Sequence, residues 1–149
     1  MKMRYYFLKE DLDVLEKMAE SLKNKIVKIG KEQGEVARQS TENMGHDDAC
    51  QEVIYQERRI AVSRLDEIRQ ILNNAECVKP ISASEKVRFG SIVKLDNGKI
   101  YKIGSYRILA NHSIENISYN SPLGEKLLNK EIGDEIVHNS IIITITNIK

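Results

Sequence analysis

Apolar residues in the first part of the chain recur at alternating steps of four and three: Leu8, Leu12, Leu15, Ala19, Leu22, Ile26 and Ile29, then Gln33 and Val36. That spacing is the seam of a coiled coil and predicts one helix from about Leu8 to Asn43, extending roughly 50 Å at 1.5 Å per residue. The stripe resumes after Thr41-Glu42-Asn43-Met44-Gly45-His46-Asp47-Asp48, with Ile54, Ala61, Leu65, Ile68 and Leu72 on one face and Val53 and Ile60 beside it. A second helix should therefore end near Asn73-Asn74. Two helices of similar length around one Gly-containing break read as an antiparallel hairpin with the break as its tip. Gly30 and Gly34 each cost about 1 kcal/mol relative to Ala in a helix interior, and Gln33 puts a polar group on the seam.

Lys79-Pro80 opens a linker, after which the period shortens to that of strands. Val87 to Leu95 is a strand candidate, Asp96-Asn97-Gly98 a hairpin turn with the dihedrals that Asn-Gly supplies, and Ile100 to Gly104 the return. Another extended segment runs from about Ile114 to Tyr119. Ser121-Pro122 is an N-cap followed by proline at the first helical position, which predicts a short helix from Leu123 to Leu128. Glu135 to Val137 and Ile141 to Thr146 make a closing hairpin, with Ile141, Ile143 and Ile145 alternating against Thr144 and Thr146. The fold class is α+β: an antiparallel coiled-coil hairpin over residues 1–77, a linker at 78–84, and a small antiparallel β-sheet domain with one short helix over 85–149. Tyr5, Tyr6 and Phe7 are expected to pack where the hairpin meets that domain.

Charge narrows the function. Residues 1–77 carry 13 Lys plus Arg against 15 Asp plus Glu, and residues 78–149 carry 10 against 7. Neither half has the strongly basic face of an electrostatic nucleic-acid binder, so any nucleic-acid contact has to be local and assisted by another protein. Cys50 and Cys77, expected at opposite ends of the second helix and roughly 40 Å apart, read as free thiols of a reducing compartment. The opening residues lack the apolar run of a signal peptide and no stretch approaches a membrane span, so a cytoplasmic protein without membrane contact is expected.

Candidate chemistry collects at the hairpin tip, residues 42–48, which hold Glu42, Asp47 and Asp48 and no Lys or Arg. Capping accounts for these acids singly: Gly45 suits a left-handed residue after the first helix, Asp47 the N-cap of the second, and Asp48 its first turn. Capping does not account for the absence of Lys and Arg between Arg38 and Arg58. His46 beside Asp47 and Asp48 matches no closed zinc set. A hard cation such as Mg²⁺, which takes one or two protein carboxylates and completes its shell with phosphates and water, fits Asp47 and Asp48 better, with a partner supplying the rest. Arg38, Arg58 and Arg59 lie close enough to the tip in sequence to meet a phosphate backbone there, although solvated helix faces account for most of the Arg and Lys on both helices.

Two stretches of the second domain name a family. Val87-Arg88-Phe89-Gly90-Ser91-Ile92-Val93, followed about thirty residues on by Ile117-Ser118-Tyr119-Asn120-Ser121-Pro122-Leu123-Gly124 and Lys130-Glu131-Ile132-Gly133-Asp134-Glu135-Ile136, resembles the C-terminal domain of the GreA/GreB transcript cleavage factors. The hairpin in front of it extends the resemblance over nearly the whole chain. The resemblance implies an FKBP-like fold for the second domain and docking of that domain on the rim of bacterial RNA polymerase, through positions matching Ser118, Asn120 and Pro122. It implies that the hairpin enters the secondary channel and that acidic tip residues, here Asp47, Asp48 and Glu42, share a Mg²⁺ with the polymerase. The polymerase's own site would then hydrolyse the 3′ end of a backtracked nascent RNA. The expected molecule is a monomeric accessory factor, not itself an enzyme. Where the family pattern has its first tip acid this chain has Met44, and the second acid is the shorter Asp47. A non-cleaving regulator that occupies the same channel is therefore a second reading, and a prolyl isomerase or a coiled-coil chaperone module are readings from other classes.

Overall fold

The heptad stripes become two long helices. The computed structural model describes residues 3–42, 48–80 and 84–149, with the backbone alone at 36, 37, 39–42 and 48–50. Strand β1 (Tyr5–Phe7) leads into α1 (Lys9–Glu42), which is followed by α2 (Asp48–Asn73) and β2 (Ala75–Cys77). The remaining elements are β3 (Ile92–Leu95), β4 (Ile100–Gly104), β5 (Asn116–Ser118), α3 (Pro122–Leu127), β6 (Glu135–His138) and β7 (Ile141–Ile148). Contacts divide the chain into a helical unit, Leu15–Asn73, and a sheet unit made of Met1–Val14 and Asn74–Lys149.

In the helical unit the seam turns inward as its spacing predicts. Leu15, Ala19 and Ile29 of α1 are buried, Leu22, Ile26 and Gln33 half-buried; on α2 the buried set is Ala61, Leu65, Ile68 and Ile71. Gln33 is the polar interruption of the seam, and its side-chain oxygen accepts a bond from the Arg58 guanidinium at 3.4 Å. That contact joins α1 to α2 at an exposed point of the seam. An Asp66–Arg69 ion pair on α2 spans 4.0 Å and is exposed, so it is worth about a few tenths of a kcal/mol at most.

In the sheet unit five strands run in the order β5-β4-β3-β7-β6. Three pairings are antiparallel, and β4 with β5 is parallel because residues 105–115 carry the chain back before the strand resumes. The core is one cluster that includes Val87, Val93, Leu95, Ile103, Leu127 and Ile145. Ile143 and Ile145 face it, whereas Ile141, expected on the same face, is 63% exposed at the start of β7.

The expected strand from Val87 to Leu95 is shortened to Ile92–Leu95. Its first half is a turn: Gly90 adopts φ 86°, Ser91 N–H donates to the Arg88 carbonyl at 3.0 Å, and Arg88 N–H to the Ser91 hydroxyl at 2.9 Å. A Cβ on Gly90 would lie 2.7 Å from that of Pro80, so glycine is required there for space as well as for backbone angle. The second difference is β2, which periodicity did not reveal. Ala75–Cys77 pairs in parallel with Tyr5–Phe7, so exposed Cys77 lies on a strand and not at the end of α2. The linker expected at 78–84 lies partly outside the described residues.

Candidate functional site

The loop from Ser118 to Gly124 carries the three candidate docking residues, and its shape follows from how it satisfies its own polar groups. The Ser118 carbonyl accepts two bonds from Ser121, one from the backbone N–H at 3.0 Å and one from the hydroxyl at 2.7 Å. The Ser121 oxygen in turn accepts the Gly124 N–H at 3.0 Å, which caps α3, and Pro122 occupies the first turn, where no N–H is needed. Gly124 is required by space. A Cβ there would lie 2.1 Å from the Ser118 carbonyl oxygen, less than any contact allows. The Ser-Pro-x-Gly run is thus one closed bonding unit between β5 and α3.

Of the three docking candidates, Asn120 and Pro122 are exposed and Ser118 is half-buried. The Ser118 hydroxyl donates inward to the Tyr106 carbonyl at 3.1 Å and accepts the Asn120 N–H at 3.2 Å. Its role in the fold is to hold the turn that presents the other two. Tyr119 anchors the same loop from below: its hydroxyl accepts the Tyr6 N–H at 3.2 Å and its ring meets Tyr6 and Phe89 edge-on. Burial raises the Tyr119 phenol above its ordinary 10.0, so it remains neutral.

Asp11, to which neither periodicity nor motif drew attention, ties the start of α1 to residues 105–112. It is fully buried. Its carboxylate accepts from the Ser105 hydroxyl at 2.5 Å, from the Leu109 and Ala110 N–H groups at 2.8 and 2.9 Å, and lies 3.1 Å from His112 Nε2. Desolvation pushes its carboxyl up, but the bonds from Ala110, Ser105, Leu109 and His112 together outweigh it and leave the pKa below 3.8. Ser105 also accepts the Leu8 N–H at 2.8 Å, satisfying a donor where α1 begins. A signal existed in the chain: Asp11 lies three residues after Leu8 and four before Leu15, on the apolar face, where an acid needs several donors.

At the hairpin tip, Glu42 is the last residue of α1 and Asp48 the first of α2. Asp47, with Met44, Gly45 and His46, lies outside the described residues. Arg38 stands four residues before Glu42, within about 6 Å along the helix. Arg58 and Arg59 stand about 15 Å or more along α2 from Asp48. All three are exposed, and Arg58 is engaged with Gln33. The donor set offered by Glu42, Asp47 and Asp48 consists of carboxylate oxygens, the type a hard cation takes. Among the described residues no helix is long and apolar enough to cross a membrane.

Residues 82–149 match the family model described as "Transcription elongation factor, GreA/GreB, C-term". The transcription elongation factor GreA of Thermotoga petrophila is 33% identical over 138 residues, covering 86% of this chain and 83% of that protein. GreA of Nautilia profundicola is 33% identical over 143 residues, covering 93% of this chain and 83% of its own length. Among solved structures, GreA factor homolog 1 (Gfh1) of Thermus thermophilus aligns over 99% of both chains at 21% identity, with a TM-score of 0.48.

Proposed function

Because the chain belongs to the GreA/GreB family of transcription elongation factors, we propose that it binds bacterial RNA polymerase through the 118–122 loop and stimulates cleavage of backtracked RNA. The observation that carries this reading is the family likeness along most of the chain, joined to a loop whose internal bonds leave Asn120 and Pro122 exposed. A rigid loop on a sheet is suited to docking, because little conformational freedom is lost when it binds.

Glu42, Asp47 and Asp48 would meet the polymerase's Mg²⁺ and the 3′ end of the nascent RNA, with Arg38 nearest to the phosphates and Arg58 and Arg59 further back. The metal would supply Lewis-acid activation of water and of the phosphate, and this chain a carboxylate that orients them. The factor has no hydrolytic role alone; it acts as a cytoplasmic monomer on the polymerase's site.

Stalled, backtracked complexes incubated with wild type, Asp47→Ala and Asp48→Ala test the reading. Release of short 3′ fragments by wild type, and its loss in either variant with polymerase binding unchanged, is the expected result. Binding without fragment release by wild type would instead support the second reading, a non-cleaving occupant of the channel. Met44 at the position of the family's first tip acid favours that reading.

A further inference from the structure

Three structural edges of the sheet unit converge on a pocket that none of Ser118, Asn120 and Pro122 lines. It lies between the β3–β4 turn, the start of α3 and the β6–β7 turn, and holds about 200 Å³. Its walls are Tyr101, Leu123, Ile141 and Ile143. Tyr101 and Ile143 are buried members of the core cluster, so the floor is rigid.

The mouth has a different chemistry. Lys99, His138 and Asn97 line it, and no Asp or Glu does among the described residues. Neither Lys99 nor His138 makes an ion pair with a described residue. The Asn97 side-chain oxygen accepts the Lys99 backbone N–H at 3.0 Å, and its NH₂ adds a donor. One wall is carried by a turn in which Asn139 and Ser140 both take positive φ, 51° and 64°, with no glycine in it. Those angles are what a two-residue hairpin turn between paired His138 and Ile141 requires, so this wall is set by the β6–β7 hairpin itself.

An apolar floor under a ring of unpaired donors recognises an apolar group with an anion beside it. The volume is below the 300–1,000 Å³ usual for cofactor or small-ligand sites and suits one large side chain. We propose that this pocket is a docking site for a protein segment in which a large apolar side chain fills the cavity and a carboxylate one or two residues away meets Lys99 and His138. The site is independent of the tip acids, and a cleavage-inactive factor would retain it.

The test uses the full ¹⁵N-labelled chain and the acetylated, amidated peptide Gly-Gly-Phe-Asp-Gly-Gly. Saturable shifts confined to Lys99, Tyr101, Leu123, His138 and their neighbours are expected, with a dissociation constant on the order of 1 mM for one anchor and one exposed charge pair. Replacing the peptide's Phe by Ala should weaken binding at least ~10-fold, and its Asp by Asn ~3-fold. On the protein, Lys99→Gln should weaken it ~3-fold. Ile141→Glu, at a position 63% exposed, should abolish it by placing an acid in the mouth while the amide spectrum away from the pocket stays that of the wild type. Absence of saturable shifts, shifts centred elsewhere, or equal binding of the Asn peptide overturns the proposal. Phenylacetate binding as tightly as the Phe-Asp peptide overturns it too, since the pocket would then be a small-molecule site.

Discussion

The sheet unit and the helical unit carry apolar stripes of similar regularity and bury them to different depths. Val87, Val93, Ile103 and Leu127 are wholly inaccessible in the sheet unit. In the helical unit Leu15, Ala61 and Leu65 are buried, but Leu22, Ile26 and Leu72 of the same stripes are only half-buried, and Val53 and Ile60 beside them are more than half exposed. Two helices offer each other one face, whereas a curled sheet closed by α3 surrounds its core. Buried apolar area is the main source of stability, so the sheet unit should depend on packing and the helical unit on helix propensity and register. Five of the six tyrosines, all except Tyr55, lie in the sheet unit, and there is no tryptophan. Tyrosine fluorescence therefore reports on the sheet, and the 222 nm ellipticity mainly on the helices.

The largest effect is expected from Leu127→Ala, which empties a fully buried site and should cost about 4 kcal/mol. In urea the tyrosine transition should move well below the ellipticity transition; equal movement of both would break the contrast between the units. Gly124→Ala should cost about 3 kcal/mol, since the Ser118 carbonyl must move to admit a Cβ. Here the sharper reading is the amide spectrum of 118–122, which should shift together with a loss of polymerase binding.

Asp11→Asn comes next, at roughly 2 kcal/mol near neutral pH, because a charged acceptor of several bonds becomes a neutral one that also donates. The sign of its pH dependence follows from a folded pKa held below 3.8. The contribution is present above the unfolded value and lost as pH falls through the folded one. Wild-type stability, read by tyrosine fluorescence, should decline below pH 3.8 more steeply than that of Asp11→Asn; parallel curves would show that the carboxylate is not responsible.

The smallest effect has the opposite sign. Nothing lies within 4 Å of a Cβ built on Gly34, so Gly34→Ala should stabilise the helical unit by up to about 1 kcal/mol. Ellipticity should register it and tyrosine fluorescence should not.

Much of this architecture was legible in the chain because its causes are local. The alternating steps from Leu8 to Ile29 recur as the buried side of α1. Asn97-Gly98 makes the turn it predicts, with Gly98 at φ 84°, and Ser121 caps α3 with Pro122 after it. The candidate site was partly legible for the same reason: the Ser118–Gly124 motif closes on itself over seven residues.

What the chain alone did not reveal depends on partners distant in sequence. β2 has three residues and no alternation of its own, and it exists because β1, about seventy residues earlier, lies beside it. The turn at 88–91 replaces a predicted strand because Pro80 and the Ile103 carbonyl meet Gly90. Asp11 becomes a structural anion only when Ser105, Leu109, Ala110 and His112 are brought around it. Periodicity records which face of a segment avoids water; which groups then satisfy a buried charge or cover an edge is settled by tertiary contacts, since a donor a hundred residues away leaves no mark on local spacing.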